Sequence, residues 1–334
     1  MPINREWRLQ RHPQGTAFAE AIELCEAPVT EPGDGEVMVR NRWLSLDAGT
    51  RMWMTPRTDG YQPPLPLGCV VPGLVLGEVE ASRHPGFREG DWVRGFGQWA
   101  DRSIVTPETS GLMAVDPAVP DVRQHLGALG MNGWTAYVGV AEVGRAREGE
   151  TVLVSAAAGA TGLLALQIAR LLGCRTIGIA GGEAKCRYLV ETMGADAAID
   201  RREADVADRL ASLGGIDVYF DNVGGPLLDA VLPAMALHGR IAVCGLVATY
   251  DGGPGPAVTR FDQILMNRLQ VTGFFCPDFF DRGAELTAML RGWAEEGRLA
   301  LPFDETIGLE HVLEAYARLF TGANIGKVIV RLDS

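Results

Sequence analysis

The residues with the clearest chemical signature form a short turn rich in alanine and glycine. Residues 156–162 read Ala-Ala-Ala-Gly-Ala-Thr-Gly. They lie between the apolar residues 151–154, which predict a strand, and residues 160–172, whose Leu, Ala and Gln content predicts a helix. A strand, a glycine turn and a helix in this order can bind the pyrophosphate of a dinucleotide on backbone N–H groups at the helix N-terminus.

We therefore predict that the turn binds a dinucleotide cofactor through Ala157, Gly159, Ala160, Thr161 and Gly162. Ala157 stands where this motif usually has its first glycine. Gly159 would let the backbone approach the pyrophosphate, and Gly162 would let the helix pack closely on the strand. The alternative is a turn of small residues that packs tightly and binds no ligand.

The residues after the second predicted strand indicate which dinucleotide is bound. About 20 residues after the glycine turn, proteins that bind NAD usually carry an acidic residue for the adenosine ribose. Here Gly181 and Gly182 stand at that place, Lys185 follows, and Arg201 and the arginine after it close the next predicted strand. Cations in place of a carboxylate suit a 2′-phosphate, so NADP(H) is favoured over NAD(H). Glu183 leaves the ribose alternative open.

The elements that position these residues alternate between strand and helix from about residue 125 to 300. This alternation predicts βαβ units and a parallel sheet. Within it, residues 278–296 predict a helix that contributes to the core.

The rest of the chain has a different pattern. Residues 1 to about 122 read as short strands separated by Pro-Gly and Pro-Pro turns, which predicts a partly open β-barrel. Residues 312–320 carry one apolar helical stripe that Gly322 would end, and residues 328–330 predict a closing strand. Because a lone strand needs a sheet, we expect this strand to rejoin the barrel. The predicted domains are residues 1–122 with 301–334, and residues 123–300.

The composition excludes several classes of protein. The chain has 334 residues, of which 47% are hydrophobic and 22% charged, so it is not a disordered tail. Its net charge of 30 − 42 = −12 argues against binding to nucleic acids or anionic membranes. Six cysteines without a C-x-x-C spacing, and no signal peptide pattern, predict reduced thiols and a cytoplasmic location.

The order of these motifs resembles a known family. The barrel, the turn at 156–162, Phe-Asp-Asn-Val-Gly-Gly at 220–225 and Asn-Ile-Gly-Lys at 324–327 resemble the zinc-independent medium-chain dehydrogenase/reductases. Within that family they are similar to prostaglandin reductases, leukotriene hydroxydehydrogenases and plant alkenal double-bond reductases. The resemblance covers essentially the whole chain. It implies an α/β fold with a GroES-like catalytic domain and a Rossmann domain.

The resemblance also implies an activity and a set of site residues. The activity is NADPH-dependent reduction of the carbon–carbon double bond of small, hydrophobic α,β-unsaturated ketones or aldehydes, with hydride transfer to the β-carbon. It implies that Lys185 meets the 2′-phosphate and that Asn222 and Asn324 border the cofactor, Asn324 near the nicotinamide. Tyr250 is implied to contact cofactor or substrate, and Tyr61 the substrate carbonyl. We expect Tyr250, with Tyr61 as second donor, to stabilise the enolate oxygen; the alternative is that Tyr250 only lines the cleft.

No metal site is expected from the sequence. The five histidines are scattered singly, and Gly73-Leu74-Val75 stands where zinc-dependent relatives carry Gly-His-Glu.

The resemblance further implies a homodimer. Two functional alternatives stay open: an NADPH-dependent quinone reductase, and an NADPH-binding sensor or scaffold without turnover.

Overall fold

A computed structural model of the chain describes residues 2–333 apart from 58, 59, 61, 204, 205, 251–254 and 256. The chain divides into two compact units. The first comprises Met1–Leu126, Tyr250–Gly252 and Phe303–Ser334, and the second comprises Gly127–Thr249 and Gly253–Pro302. Both ends of the chain therefore belong to the same unit.

The strands and helices of the described residues have the following bounds. The strands are β1 Ile3–Leu9, β2 Ile22–Pro28, β3 Val37–Ser45, β4 Pro72–Ser82, β5 Trp92–Gln98, β6 Arg102–Val105, β7 Met113–Ala114, β8 Thr151–Val154, β9 Arg175–Ala180, β10 Ala197–Asp200, β11 Ile216–Asp221, β12 Met235–Val243, β13 Gln270–Gly273, β14 Phe303–Ile307 and β15 Lys327–Arg331. The helices are α1 Thr50–Trp53, α2 Pro107–Ser110, α3 Met131–Tyr137, α4 Ala160–Leu171, α5 Glu183–Arg187, α6 Val206–Ser212, α7 Gly225–Val231, α8 Asp262–Met266, α9 Gly283–Glu295 and α10 Val312–Thr321. No helix in the described part of the chain is long and apolar enough to cross a membrane.

The first unit is built on a mixed sheet. Among the described strands its order is β14-β15-β3-β4-β5-β7, with β6 also paired to β3, and β1 and β2 form a separate hairpin. The closing strand β15 runs antiparallel to β3, so that Ile329 lies opposite Ser45, which confirms that this strand rejoins the first unit. Helix α10 packs Ala315 and Tyr316 into the core and ends at Gly322, whose φ of +66° is the left-handed conformation expected of a glycine stop.

The second unit contains a parallel sheet. Its order in the described residues is β10-β9-β8-β11-β12-β13, and every neighbouring pair is parallel. Strand β8 is buried along its whole length because both faces of such a sheet are covered. The strand order reverses direction between β8 and β11, and open α/β sheets bind their ligands outside the carboxyl ends of the strands at such a point.

One element differs from its prediction. The helix predicted over residues 278–296 begins only at Gly283, and Cys276–Arg282 forms a tighter 3-10 segment with a kink at Phe279 (φ −114°, ψ 15°). At the start of α9, Gly283 packs against Trp134, since a Cβ at this position would lie 2.5 Å from the Trp134 ring.

Candidate functional site

The glycine turn sits at the carboxyl end of β8 and is held by tight packing. A Cβ added to Gly162 would lie 2.4 Å from the carbonyl oxygen of Ala156 and 2.8 Å from the Cα of Ala157, so only glycine fits there. The N–H of Ala157 donates to the carbonyl of Ile179 at 2.9 Å, which ties the turn to β9. Gly159 is the extended residue that caps α4.

The helix that follows presents its first turn at this same edge of the sheet. Ala160, Thr161 and Gly162 occupy the first three positions of α4, whose N–H groups have no partner within the helix. The Thr161 hydroxyl accepts a hydrogen bond from the Asn132 side-chain amide at 3.0 Å, which fixes the threonine rotamer. In the described part of the chain the Asn132 amide oxygen is buried without a hydrogen-bond partner.

Two arginines converge on the adjacent glycine pair. A Cβ at Gly181 would lie 3.1 Å from Nε of Arg201, and one at Gly182 would lie 3.1 Å from Nη1 of Arg202. The Asp200 carboxylate accepts the backbone N–H groups of Arg202 at 2.9 Å and Gly182 at 2.8 Å, and these bonds lower its pKa. Both guanidinium groups therefore lie beside a backbone without side chains, an arrangement suited to a phosphate.

Lys185 and Glu183 lie on α5, directly after this glycine pair. Lys185 is half-buried, and its backbone N–H donates to the carbonyl of Gly182 at 3.1 Å. The Glu183 carboxylate instead accepts Nη2 of Arg187 at 2.7 Å, one turn along the helix. Both side chains are largely exposed, and an exposed pair of this kind is weak, so it leaves the ribose alternative open.

A buried network holds Asn222 at the point where the strand order reverses. Its backbone N–H donates to the Ser155 hydroxyl at 2.9 Å, and its side-chain amide donates to the Ser155 carbonyl at 2.7 Å. Oδ1 of Asp221 accepts the Ser155 hydroxyl at 3.1 Å, the Tyr219 hydroxyl at 2.7 Å and the N–H groups of the two residues after Asn222, both at 2.9 Å. Burial and the neighbouring Asp221 raise the pKa of Tyr219, so its hydroxyl stays protonated and donates.

Asn324 and Tyr250 belong to the first unit. Asn324 is buried, and its side-chain amide donates to the carbonyl of Gly326 at 3.2 Å. Tyr250 is half-buried. Burial raises the pKa of the Tyr316 hydroxyl, and a smaller electrostatic effect of Tyr250 acts in the same direction. Tyr61 lies outside the described residues.

Comparisons with known proteins bear on the whole chain. Residues 5–115 match a family model described as the N-terminal domain of oxidoreductase, and residues 160–291 match one described as zinc-binding dehydrogenase. The NADPH-dependent curcumin reductase of Escherichia coli is 37% identical over 98% of this chain and 97% of its own length. The NADP-dependent 2-alkenal reductase of Nicotiana tabacum is 37% identical over 90% of this chain and 88% of its own.

The chain belongs to the zinc-independent medium-chain dehydrogenase/reductase family of the alkenal reductase type. Solved structures agree with this assignment. CurA from Vibrio vulnificus has a TM-score of 0.92 at 35% identity, and its complex with NADPH has a TM-score of 0.90 at 36%, both over 99% of each chain. This reductase is therefore an NADP-dependent oxidoreductase with a GroES-like and a Rossmann domain, as the sequence predicted. A quinone oxidoreductase from Pseudomonas syringae, at 22% identity, shares the fold.

The residues of this reductase fit NADP(H), its cofactor. In the turn at 157–162, Gly162 has no room for a side chain. The turn can therefore bind a ligand through its backbone N–H groups. Arg201 and Arg202 supply two cations at the place where a carboxylate would select NAD(H). The described residues contain no group of three or more His, Cys, Asp or Glu side chains that could hold a metal ion.

Two residues of the second unit were not among the predicted site residues. Ser155 anchors Asn222 from the neighbouring strand, and Asn132 fixes Thr161 from α3. Ser155 comes directly after the strand predicted at 151–154. This places it at the carboxyl edge of the sheet, where site residues are expected, so the sequence does contain a signal for it. Asn132 lies 29 residues before its partner, and no local pattern links the two.

Proposed function

We propose that this reductase uses NADPH to reduce the carbon–carbon double bond of α,β-unsaturated ketones or aldehydes. The observation that carries the proposal is the 37% identity, over 98% of the chain, with an NADPH-dependent curcumin reductase. The similar 2-alkenal reductase supports the same substrate class, a small and hydrophobic enal or enone.

Each group of residues has a proposed task. NADPH, when bound, supplies the hydride for the β-carbon. The first turn of α4 binds the pyrophosphate, Arg201 and Lys185 bind the 2′-phosphate together with Arg202, and Asn222 and Asn324 orient the rest of the cofactor. Tyr250 donates a hydrogen bond to the carbonyl oxygen as negative charge develops there, and Tyr61 is the second donor. Because the ordinary pKa of tyrosine is about 10, we assign the proton that reaches the α-carbon to water.

A substrate screen tests this function. NADPH oxidation would be followed with a 2-alkenal, a cyclic enone and a quinone, and the products would be analysed for the bond reduced. We expect turnover of the alkenal or enone to the saturated carbonyl compound. Faster turnover of the quinone would favour the quinone reductase alternative, and tight NADPH binding without oxidation by any acceptor would favour a sensor.

Replacing Tyr250 by Phe tests the oxyanion assignment. Loss of one donor to the developing charge is expected to lower kcat by about 10- to 100-fold, with a smaller change in the KM of the enone. The control is Tyr137→Phe, whose ring packs against Trp293 in the second unit and is expected to leave kcat unchanged. An unaltered kcat in Tyr250→Phe would show that Tyr250 only lines the site.

We further propose that this reductase is a homodimer that pairs through β13. All four residues of β13 are exposed, and among the described strands it is the last in its sheet, so its outward N–H and C=O groups can bind another strand. Four further apolar side chains are exposed on the neighbouring strand β12 and at α8, the helix that precedes β13 in the chain: Leu237 (54%), Phe261 (68%), Leu265 (74%) and Met266 (58%). A second copy related by a two-fold axis would bury both features at once.

A charge placed on this surface is expected to separate the protomers. The variant Val271→Lys combined with Leu265→Lys should elute as a monomer in size-exclusion chromatography with light scattering, while the wild type elutes as a dimer. Ile307→Lys, at an apolar site of the first unit that is about as exposed as Val271, is the control and should stay dimeric. A monomeric wild type, or a dimeric double variant, would contradict the proposal.

A further inference from the structure

Lysine is rare in this reductase, and one of its lysines is buried. Of the 30 basic Lys and Arg residues, only Lys185 and Lys327 are lysines. The Lys327 side chain is 1% exposed, and its ammonium pairs with the Asp47 carboxylate and donates to the carbonyl of Leu46 at 3.3 Å. An ammonium is a compact charge, whereas a guanidinium is a wide planar fork, so this position suits lysine in a chain that otherwise uses arginine.

The sheet of the first unit brings the two charges together. Strands β15 and β3 are antiparallel, and the N–H of Leu46 donates to the carbonyl of Val328 at 3.1 Å just beyond their paired region. Lys327 therefore begins β15 where Asp47 follows β3. The Ser45 hydroxyl donates to the other carboxylate oxygen of Asp47 at 2.5 Å, so both oxygens of this carboxylate are held.

The ion pair joins the segment that carries Asn324, a residue of the proposed site, to the segment that follows β3. On one side, Asn324 precedes Lys327 by three residues and is braced on the carbonyl of Gly326. On the other side, Asp47 acts electrostatically on the buried hydroxyl of Tyr316, as does Tyr250. Asp47 remains about one-third exposed, whereas Lys327 is closed off from water.

Stability alone is a weak reason for such a pair. Removing two charges from water costs free energy that their attraction repays only in part, and apolar residues of similar volume often stabilise a fold equally well. A buried pair can instead fix one arrangement of the segments that it joins. Here the segments are residues 45–51 and 324–327.

We propose that the Lys327–Asp47 ion pair is a positioning element that holds Asn324 for the nicotinamide end of NADPH. This inference rests on the proposed function, in which Asn324 borders the cofactor. It assigns no contact between Lys327 and the cofactor: the lysine acts through the turn at 324–327.

Binding of a whole and a truncated ligand tests the proposal without turnover. The dissociation constants of NADPH and of adenosine 2′,5′-bisphosphate, which lacks the nicotinamide, would be measured for wild type, Lys327→Met, Asp47→Asn and the double variant. We expect Lys327→Met to weaken NADPH binding by about three- to tenfold and to leave the bisphosphate unchanged. The double variant should resemble the single ones, since both remove the same interaction.

Equally weakened binding of both ligands, or NADPH binding in Lys327→Met within experimental error of wild type, would overturn the proposal.

Wild type labelled with ¹⁵N-lysine provides a second measurement that needs no stable variant, because only two side-chain ammonium signals exist. The bisphosphate should shift the Lys185 signal alone, and NADPH should shift that of Lys327 as well. A wild type that binds no NADPH would refute the proposed function, whereas NADPH binding with an unmoved Lys327 signal refutes this inference alone.

Discussion

Replacing Arg201 and Arg202 together by alanine is expected to remove most of the preference for NADPH over NADH. Both guanidinium groups lie beside Gly181 and Gly182, where no side chain separates them from a ligand. A hydrogen bond to a charged group contributes about 1.5–3 kcal/mol, so losing two is expected to lower the ratio of kcat/KM for NADPH to that for NADH by about 100-fold or more. The kcat/KM for NADH itself should change little, because NADH has no 2′-phosphate.

The control for this experiment is Arg175→Ala. Arg175 begins β9 and donates to the carbonyl of Leu213, at the opposite end of the strand from Gly181. Arg175 carries the same charge but lies at the far end of β9, so this variant shows what the loss of one positive charge alone does to the cofactor preference. Lys185→Ala, measured in parallel, separates the lysine implied by the family resemblance from the two arginines. If the double variant keeps the cofactor preference of wild type, the phosphate lies elsewhere.

The parts of the site that depend on neighbours in the sequence could be predicted. The role of Gly162 in close packing is predicted by the spacing of small residues after a strand. The role of Gly322 as a helix stop is predicted by its place at the end of an apolar helical stripe. In both cases the physical cause is local: a close approach within one turn, or a left-handed residue after one helix. The same holds for the closing strand β15, whose need for a sheet is evident from its isolation.

Other parts depend on contacts between distant segments and could not be predicted. Ser155 and Asn222 are 67 residues apart and meet only because β8 and β11 are neighbours in the sheet. Lys327 and Asp47 are 280 residues apart and meet because β15 joins β3. Alternation of strands and helices indicates a parallel sheet but not its strand order. The sequence pattern therefore cannot predict which distant residues the sheet brings together. The predicted start of α9 is also wrong, since Cys276–Arg282 forms a tighter segment before the helix begins at Gly283.

Gly162→Ala is expected to destabilise the protein although the substitution improves helix propensity. In the interior of a helix, alanine is favoured over glycine by about 1 kcal/mol. At this position, however, the new methyl group would lie 2.4 Å from the carbonyl oxygen of Ala156, which is backbone and cannot rotate away. Forcing a methyl group into such a contact costs about 1–3 kcal/mol, so the net change in the free energy of unfolding should be a loss.

The same displacement should weaken the cofactor site. Moving the first turn of α4 away from Ala156 shifts the N–H groups that are proposed to bind the pyrophosphate, and we expect NADPH to bind at least about tenfold more weakly. Gly292→Ala is the matched control, since this glycine lies within α9 with open space around its Cα. That variant should be stabilised by about 0.5–1 kcal/mol in urea unfolding and should bind NADPH as wild type does. Opposite signs for two Gly→Ala substitutions in helices would identify close packing, rather than backbone flexibility, as the reason that glycine stands at 162; equal stabilisation of both variants would refute it.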